Sequence, residues 1–113
     1  MAREVLQMLA SKGKLVRDLI PDIIAKSGRA ANIVKLNDAD FLKKLRDKVV
    51  EEATEVRDAE DIPSLILELA DLQEVIDTLR AAYQISHNDI ISMQNHRRSS
   101  RGGFEQRLFL TID

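Results

Sequence analysis

FLKKLRDKVVEEATEV (residues 41–56) and, after a short break, PSLILELADLQEVIDTL (residues 63–79) decide how this chain is read. On helical wheels at about 100° per residue, the first carries an apolar stripe of Phe41, Leu42, Leu45, Val49, Ala53 and Val56. The second carries Leu65, Leu69, Leu72, Val75, Ile76, Leu79 and Tyr83. Glu52 falls inside the first stripe, with Glu55 one turn on at its edge. Glu68 falls inside the second, between the directions of Val75 and Leu79, with Asp71 at its edge. Burying an unpaired carboxylate costs several kcal/mol or drives it to the neutral form. Packing the two helices face to face gathers four acids, whose mutual repulsion adds to that cost. A hard divalent cation removes the difficulty, because it takes oxygen ligands and needs negative charge around it. The competing reading of the same acids is a solvated acidic face that docks a basic partner without metal.

The donor set narrows the metal. Di-iron helix bundles use Glu-x-x-His pairs, but here the third residue after each glutamate is Glu55 or Asp71. His87 and His96 lie elsewhere and read as surface or cap residues. An all-oxygen site favours Mg²⁺, or Mn²⁺, over zinc or iron.

Outward from the two helices, Asn37 or Asp38 is placed to cap the first, which runs to about Ala59. Pro63 suits the start of the second, reaching about Tyr83. Ser86-His87-Asn88-Asp89 reads as a capping box for a third helix to about Ser99, ended by Arg101-Gly102-Gly103. Pro21 opens a helical turn through Ile23 and Ile24, closed by Ser27-Gly28, and residues 2–12 have a short helical pattern. Arg29 to Leu36 reads as extended, and Phe104 to Ile112 as a short strand that could pair with residues 32–36. The expected class is all-α: a helical bundle with a small extended C-terminal appendage.

At 113 residues the chain fits one domain, and so short a chain makes association between subunits a reasonable expectation, as a homodimer or homotetramer. The absence of cysteine excludes disulfides, zinc–thiolate sites and thiol nucleophiles. No apolar run approaches the ~20 residues that cross a bilayer, and Val5 to Leu9 is short for a signal-peptide core. The expectation is a cytoplasmic protein with no membrane partner. The net charge of −2 hides a polarity, since residues 51–77 are acid-rich while Arg97, Arg98, Arg101 and Arg107 cluster near the end. Without interleaved aromatics those arginines do not read as a nucleic-acid surface, though they could meet phosphate.

Glu52-Ala-Thr-Glu55, twelve residues, then Glu68-Leu-Ala-Asp71 resembles the ExxE…ExxD signature of the all-α, MazG-like pyrophosphohydrolases. Lys14-Leu-Val-Arg-Asp-Leu-Ile-Pro21 is similar to the opening of their phosphoribosyl-ATP-pyrophosphohydrolase-like, house-cleaning subgroup. Glu68-Leu-Ala-Asp-Leu-Gln-Glu-Val-Ile76 and Arg101-Gly-Gly-Phe104 resemble its centre and end. The resemblance covers about residues 14–110 and leaves residues 1–13 as an extension. It implies a MazG-like bundle that hydrolyses a nucleoside triphosphate between its α and β phosphates, giving a monophosphate and pyrophosphate. Glu52, Glu55, Glu68 and Asp71 would hold the metal, with Glu52 or Glu55 positioning the attacking water. Lys14, Arg17 and Arg101 match the family's motifs as phosphate contacts. Lys48 lies on the flank of Glu52 and Glu55, and Arg97 stands where similar sequences have lysine. Phosphoribosyl-ATP hydrolysis shares this chemistry and these ligands.

Overall fold

Four short signals in the sequence set the four helices of the described residues. The computed structural model describes residues 13–112 of the chain; the expected helical pattern over residues 2–12 lies outside them. Helix α1 is Ile20–Lys26, with Pro21 in its first turn, where a missing N–H costs nothing. It ends at Ser27 and Gly28, whose φ of 80° permits the N–H of Gly28 to reach Ala25 O and that of Arg29 to reach Ile24 O. Helix α2 is Asp38–Asp58, and the Asn37 side chain accepts the Asp40 N–H at 2.8 Å. Helix α3 is Ile62–Ala82, capped by Asp61, which accepts the Ser64 N–H at 2.8 Å. Helix α4 is His87–Arg101, capped by Ser86.

The link from α3 to α4 is tightly specified. Gln84 takes φ 58°, its N–H bonds Ala81 O at 2.9 Å, and the Ile85 N–H bonds Arg80 O at 3.0 Å. This is the paired C-terminal motif usually built on glycine. Here the Arg80 guanidinium fastens the turn by donating to Ile85 O.

α2 and α3 form a closely packed hairpin, and no other pair of helices packs extensively among the described residues. Ile20 and Ile24 of α1, Leu45 of α2 and Val75 of α3 are the buried apolar residues among those described. Face assignment on α2 follows the wheel: Phe41, Leu42, Val49 and Val56 are half-buried about Leu45, while Ala53 is exposed. On α3 the stripe is turned. Leu65, Glu68, Leu72, Val75 and Leu79 lie on the buried side, whereas Leu69, Ile76 and Tyr83 are exposed. With Ile62 and Ile66 the apolar arc of α3 spans roughly 180°, wider than the ~100° one neighbour covers. α2 occupies half of it.

The expected strand at Phe104 to Ile112 does not form. Among the described residues there is no strand, and residues 29–36 and 107–112 are irregular. Two short segments without a third strand or a covering helix give a marginal sheet at best. Gly102, at φ 83° and ψ 178°, sits in backbone space essentially open only to glycine, and there α4 stops. An Arg98–Glu105 ion pair then closes the turn over Gly103, where a Cβ would meet both side chains. None of the described helices is long and apolar enough to cross a membrane.

The caps give a test. The Ser64 backbone N–H, and next its side chain, lower the Asp61 carboxyl below its ordinary value. A depressed carboxyl contributes stability that is fully present above its unfolded pKa and is lost as pH falls through the folded one. Asp61→Ala is therefore expected to lower Tm at neutral pH, with the difference from wild type closing in acid. Asp61→Asn keeps the cap and should remove only the pH-dependent part. Asn37→Ala, by contrast, should cost about 1 kcal/mol at every pH, measured by urea denaturation.

Candidate functional site

The wheels placed two glutamates on apolar faces, and the hairpin buries both. Glu52 of α2 is 8% exposed and Glu68 of α3 is 7% exposed. Asp71, one turn beyond Glu68, is half-buried. One carboxylate oxygen from each of Glu52, Glu68 and Asp71 falls within 4.8 Å of the others. Two donors on opposite sides of one Mg²⁺ stand about 4.2 Å apart, twice the ~2.1 Å bond. Only one pair of ligands can stand opposite and the others are about 3 Å apart, so the three oxygens fit a single small cation after side-chain movements on the order of an ångström. Glu55 is half-buried one turn further along α2 and lies outside that trio.

Cations already press on these acids. Lys48 is 6% exposed, and its ammonium lies 3.3 Å from Glu51 Oε2 and 3.5 Å from Glu52 Oε1. The buried Nζ thus sits as the shared ion-pair partner of both carboxylates, neither contact having close hydrogen-bond geometry. Lys14 Nζ donates to Glu51 Oε1 at 2.5 Å, and an Arg17 terminal nitrogen donates to Asp71 Oδ1 at 2.8 Å. The segment leading into α1 is therefore strapped to both helices, to α2 through Lys14 and to α3 through Arg17.

Electrostatics separates two adjacent glutamates. Burial pushes the Glu52 carboxyl up, Lys48 opposes it, and the negative charges of Asp71 and Glu51 add to the rise. Burial also pushes Glu51 up, but the Lys14 hydrogen bond and the charges of Lys48 and Lys14 outweigh it, so the net shift is downward. Glu51 serves as the counter-ion of two lysines. Glu52 is left under-compensated, as suits a residue meant to meet a further cation.

Beneath the strap lies a cleft of about 500 Å³, within the range of small-molecule sites. Leu15, Val16, Phe41 and Val75 supply apolar wall, while Arg17, Lys48, Glu52 and Asp71 supply charge. Of the residues singled out in the sequence, Glu52, Glu68 and Asp71 converge, with Lys14, Arg17 and Lys48 around them. Arg97 and Arg101 do not: both are exposed on α4 and neither lines the cleft. Glu51, Glu74 and Thr78 belong to the site region without having been singled out; the last two line the cleft. Only Glu51 had a local signal, three residues after Lys48 on one helix face.

No family model matches this chain, and neither a curated protein nor a solved structure matches it.

The arrangement predicts opposite effects from neighbouring substitutions. Lys48→Met strips the buried cation from Glu52, and should cost the metal-free protein about 3 kcal/mol at neutral pH. Glu68→Gln removes negative charge from a crowded site and should leave stability unchanged or raise it. Urea denaturation in chelator reads both, and a Lys48→Met protein as stable as wild type would refute the role given to Lys48.

Proposed function

We propose that the chain is a Mg²⁺-dependent nucleoside-triphosphate pyrophosphohydrolase of the MazG-like kind, cutting between the α and β phosphates. The observation that carries this reading is the convergence of Glu52, Glu68 and Asp71 oxygens within 4.8 Å beside a cleft that also presents Arg17 and Lys48. Acids and cations at one cleft suit a charged substrate that arrives with a metal. The ExxE…ExxD spacing and the flanking motifs support the same reading. Phosphoribosyl-ATP as substrate would use the same ligands. Cytoplasmic residence and a homo-oligomeric state go with this proposal.

Mg²⁺ bound by these carboxylates would neutralise phosphate charge and lower the pKa of a coordinated water. The chain's own groups do the rest. Glu52, Glu68 and Asp71 supply the ligand oxygens. Glu55, half-buried and outside the trio, or Glu52 would orient the attacking water through its carboxylate. Arg17 and Lys48 line the cleft where phosphate oxygens would lie, and Arg17, once Asp71 served as a ligand, would be free for those oxygens while Lys48 kept Glu51. Leu15, Val16 and Phe41 offer an apolar wall for a base. Such catalysis depends on positioning and charge, without a protein nucleophile.

The acidic docking reading draws on one observation: Lys14, Arg17 and Lys48 already pair with Glu51, Glu52 and Asp71. It predicts indifference to divalent metal.

A nucleotide panel assayed for products decides between them. Monophosphate and pyrophosphate should appear with Mg²⁺ or Mn²⁺, stop in chelator, and be abolished by Glu68→Gln in folded protein. Orthophosphate as the primary product would mean a different bond and end the assignment. Arg17→Ala should raise KM or lower kcat/KM yet leave calorimetric Mg²⁺ affinity equal or higher, because Arg17 competes with metal for Asp71. Glu52→Gln should weaken metal binding with no nucleotide present.

A further inference from the structure

We propose that residues 87–112 form an arm that docks on the α2–α3 hairpin of a second copy of this chain, the two copies exchanging arms. Every residue of the arm is exposed, helix α4 included. Beyond α4, Phe104, Leu108, Phe109, Leu110 and Ile112 are each at least 85% exposed. Isolated apolar side chains at a surface are ordinary, but five large ones within nine residues are not. The arm does not fold back on its own hairpin. The turn at Gln84, held by three hydrogen bonds, sends α4 away from it, and α4 makes no extensive packing with α2 or α3.

A receiving surface exists on the same chain. Ile62, Ile66, Leu69 and Ile76 follow one another at helical spacing along the outer side of α3, and all are exposed. The charges match at the level of the whole hairpin. Residues 38–82 hold thirteen acids against six cations, whereas the arm carries Arg97, Arg98, Arg101 and Arg107 against Asp89 and Glu105. An apolar, basic arm and an apolar face on an acidic hairpin are complementary between copies, and two-fold exchange satisfies both at once. The area is adequate: the two phenylalanines of each arm carry about 300–500 Å². Both arms together thus supply roughly half or more of a ~1,200 Å² interface before the aliphatic residues are added.

This contact is independent of the chemistry proposed for the acids, so its test uses the full chain without metal or nucleotide. Sedimentation equilibrium at micromolar concentration should give the mass of two chains. Leu110→Glu in the arm and Ile66→Glu on the face should each weaken the dimer on the order of 100-fold, with helical circular dichroism retained. Mixed together, the two variants should associate better than either alone, because one arm and one face remain intact in the mixed pair. Deletion of residues 104–113 should act like Leu110→Glu without touching a helix. A monomeric full chain, a dimer indifferent to the arm deletion, or a mixture that gains nothing would each overturn the proposal.

Discussion

The Lys48 ammonium, enclosed between α2 and α3 beside Glu51 and Glu52, is the contact on which the rest of the arrangement depends. A helix hairpin whose facing surfaces each contain a glutamate cannot close on apolar packing alone. Taking a carboxylate out of water costs several kcal/mol. One cation at about 4 Å returns about 4 kcal/mol at the effective dielectric of a partly buried site. The two nearly cancel, so Lys48 makes closure permissible without driving it. The drive comes from Leu45, Val75 and the half-buried residues about them. Placing the cation four residues before Glu52 on the same helix means it arrives with the helix, before any tertiary contact.

Two further cations come from outside the hairpin, and their origin matters. Lys14 and Arg17 belong to the segment before α1, yet one reaches α2 and the other α3. Holding both ends of that segment seats Ile20 and Ile24 in the core and sets the roof of the cleft. The Arg17–Asp71 pair is largely exposed, so its strength is modest and salt-sensitive. The Lys48 contact is enclosed and much less screened. Of the two cations that line the cleft, Arg17 is thus the easier to displace from its acid.

Local chemistry was legible in the sequence, and long-range chemistry was not. Asn37, Pro63 and Ser86 announce their helices because capping involves residues within one turn, and the structure places those helices where the signals put them. Glu52 and Glu68 were readable as buried acids because a wheel is also local. The convergence of Glu52, Glu68 and Asp71 followed from packing the two faces together, and what fails is pairing that no facing helix supplies. The strand at residues 104–112 had alternation but no neighbour to pair with. Leu69, Ile76 and Tyr83 were assigned to the buried stripe because periodicity gives the centre of an apolar arc, not which half a neighbour covers. Glu51 carried only the weak local signal of Lys48 three residues before it, and its closer partner, Lys14, lies 37 residues away in sequence.

The width of the α3 arc connects these observations. Its inner half carries Glu68 among Leu65, Leu72 and Val75, and its outer half carries Ile62, Ile66, Leu69 and Ile76. A helix buried on one side only, with four buried apolar residues among those described, has little to offset the conformational entropy of ordering it. Covering the outer half by an arm from a second copy adds burial to the same helix that holds Glu68 and Asp71. Side chains that must sit within half an ångström of a common point need a backbone held more tightly than a two-helix contact supplies. On that physical ground, association and site geometry are linked through α3. Any change that loosens the outer face should be felt at the acids, which stand on the other half of the same helix.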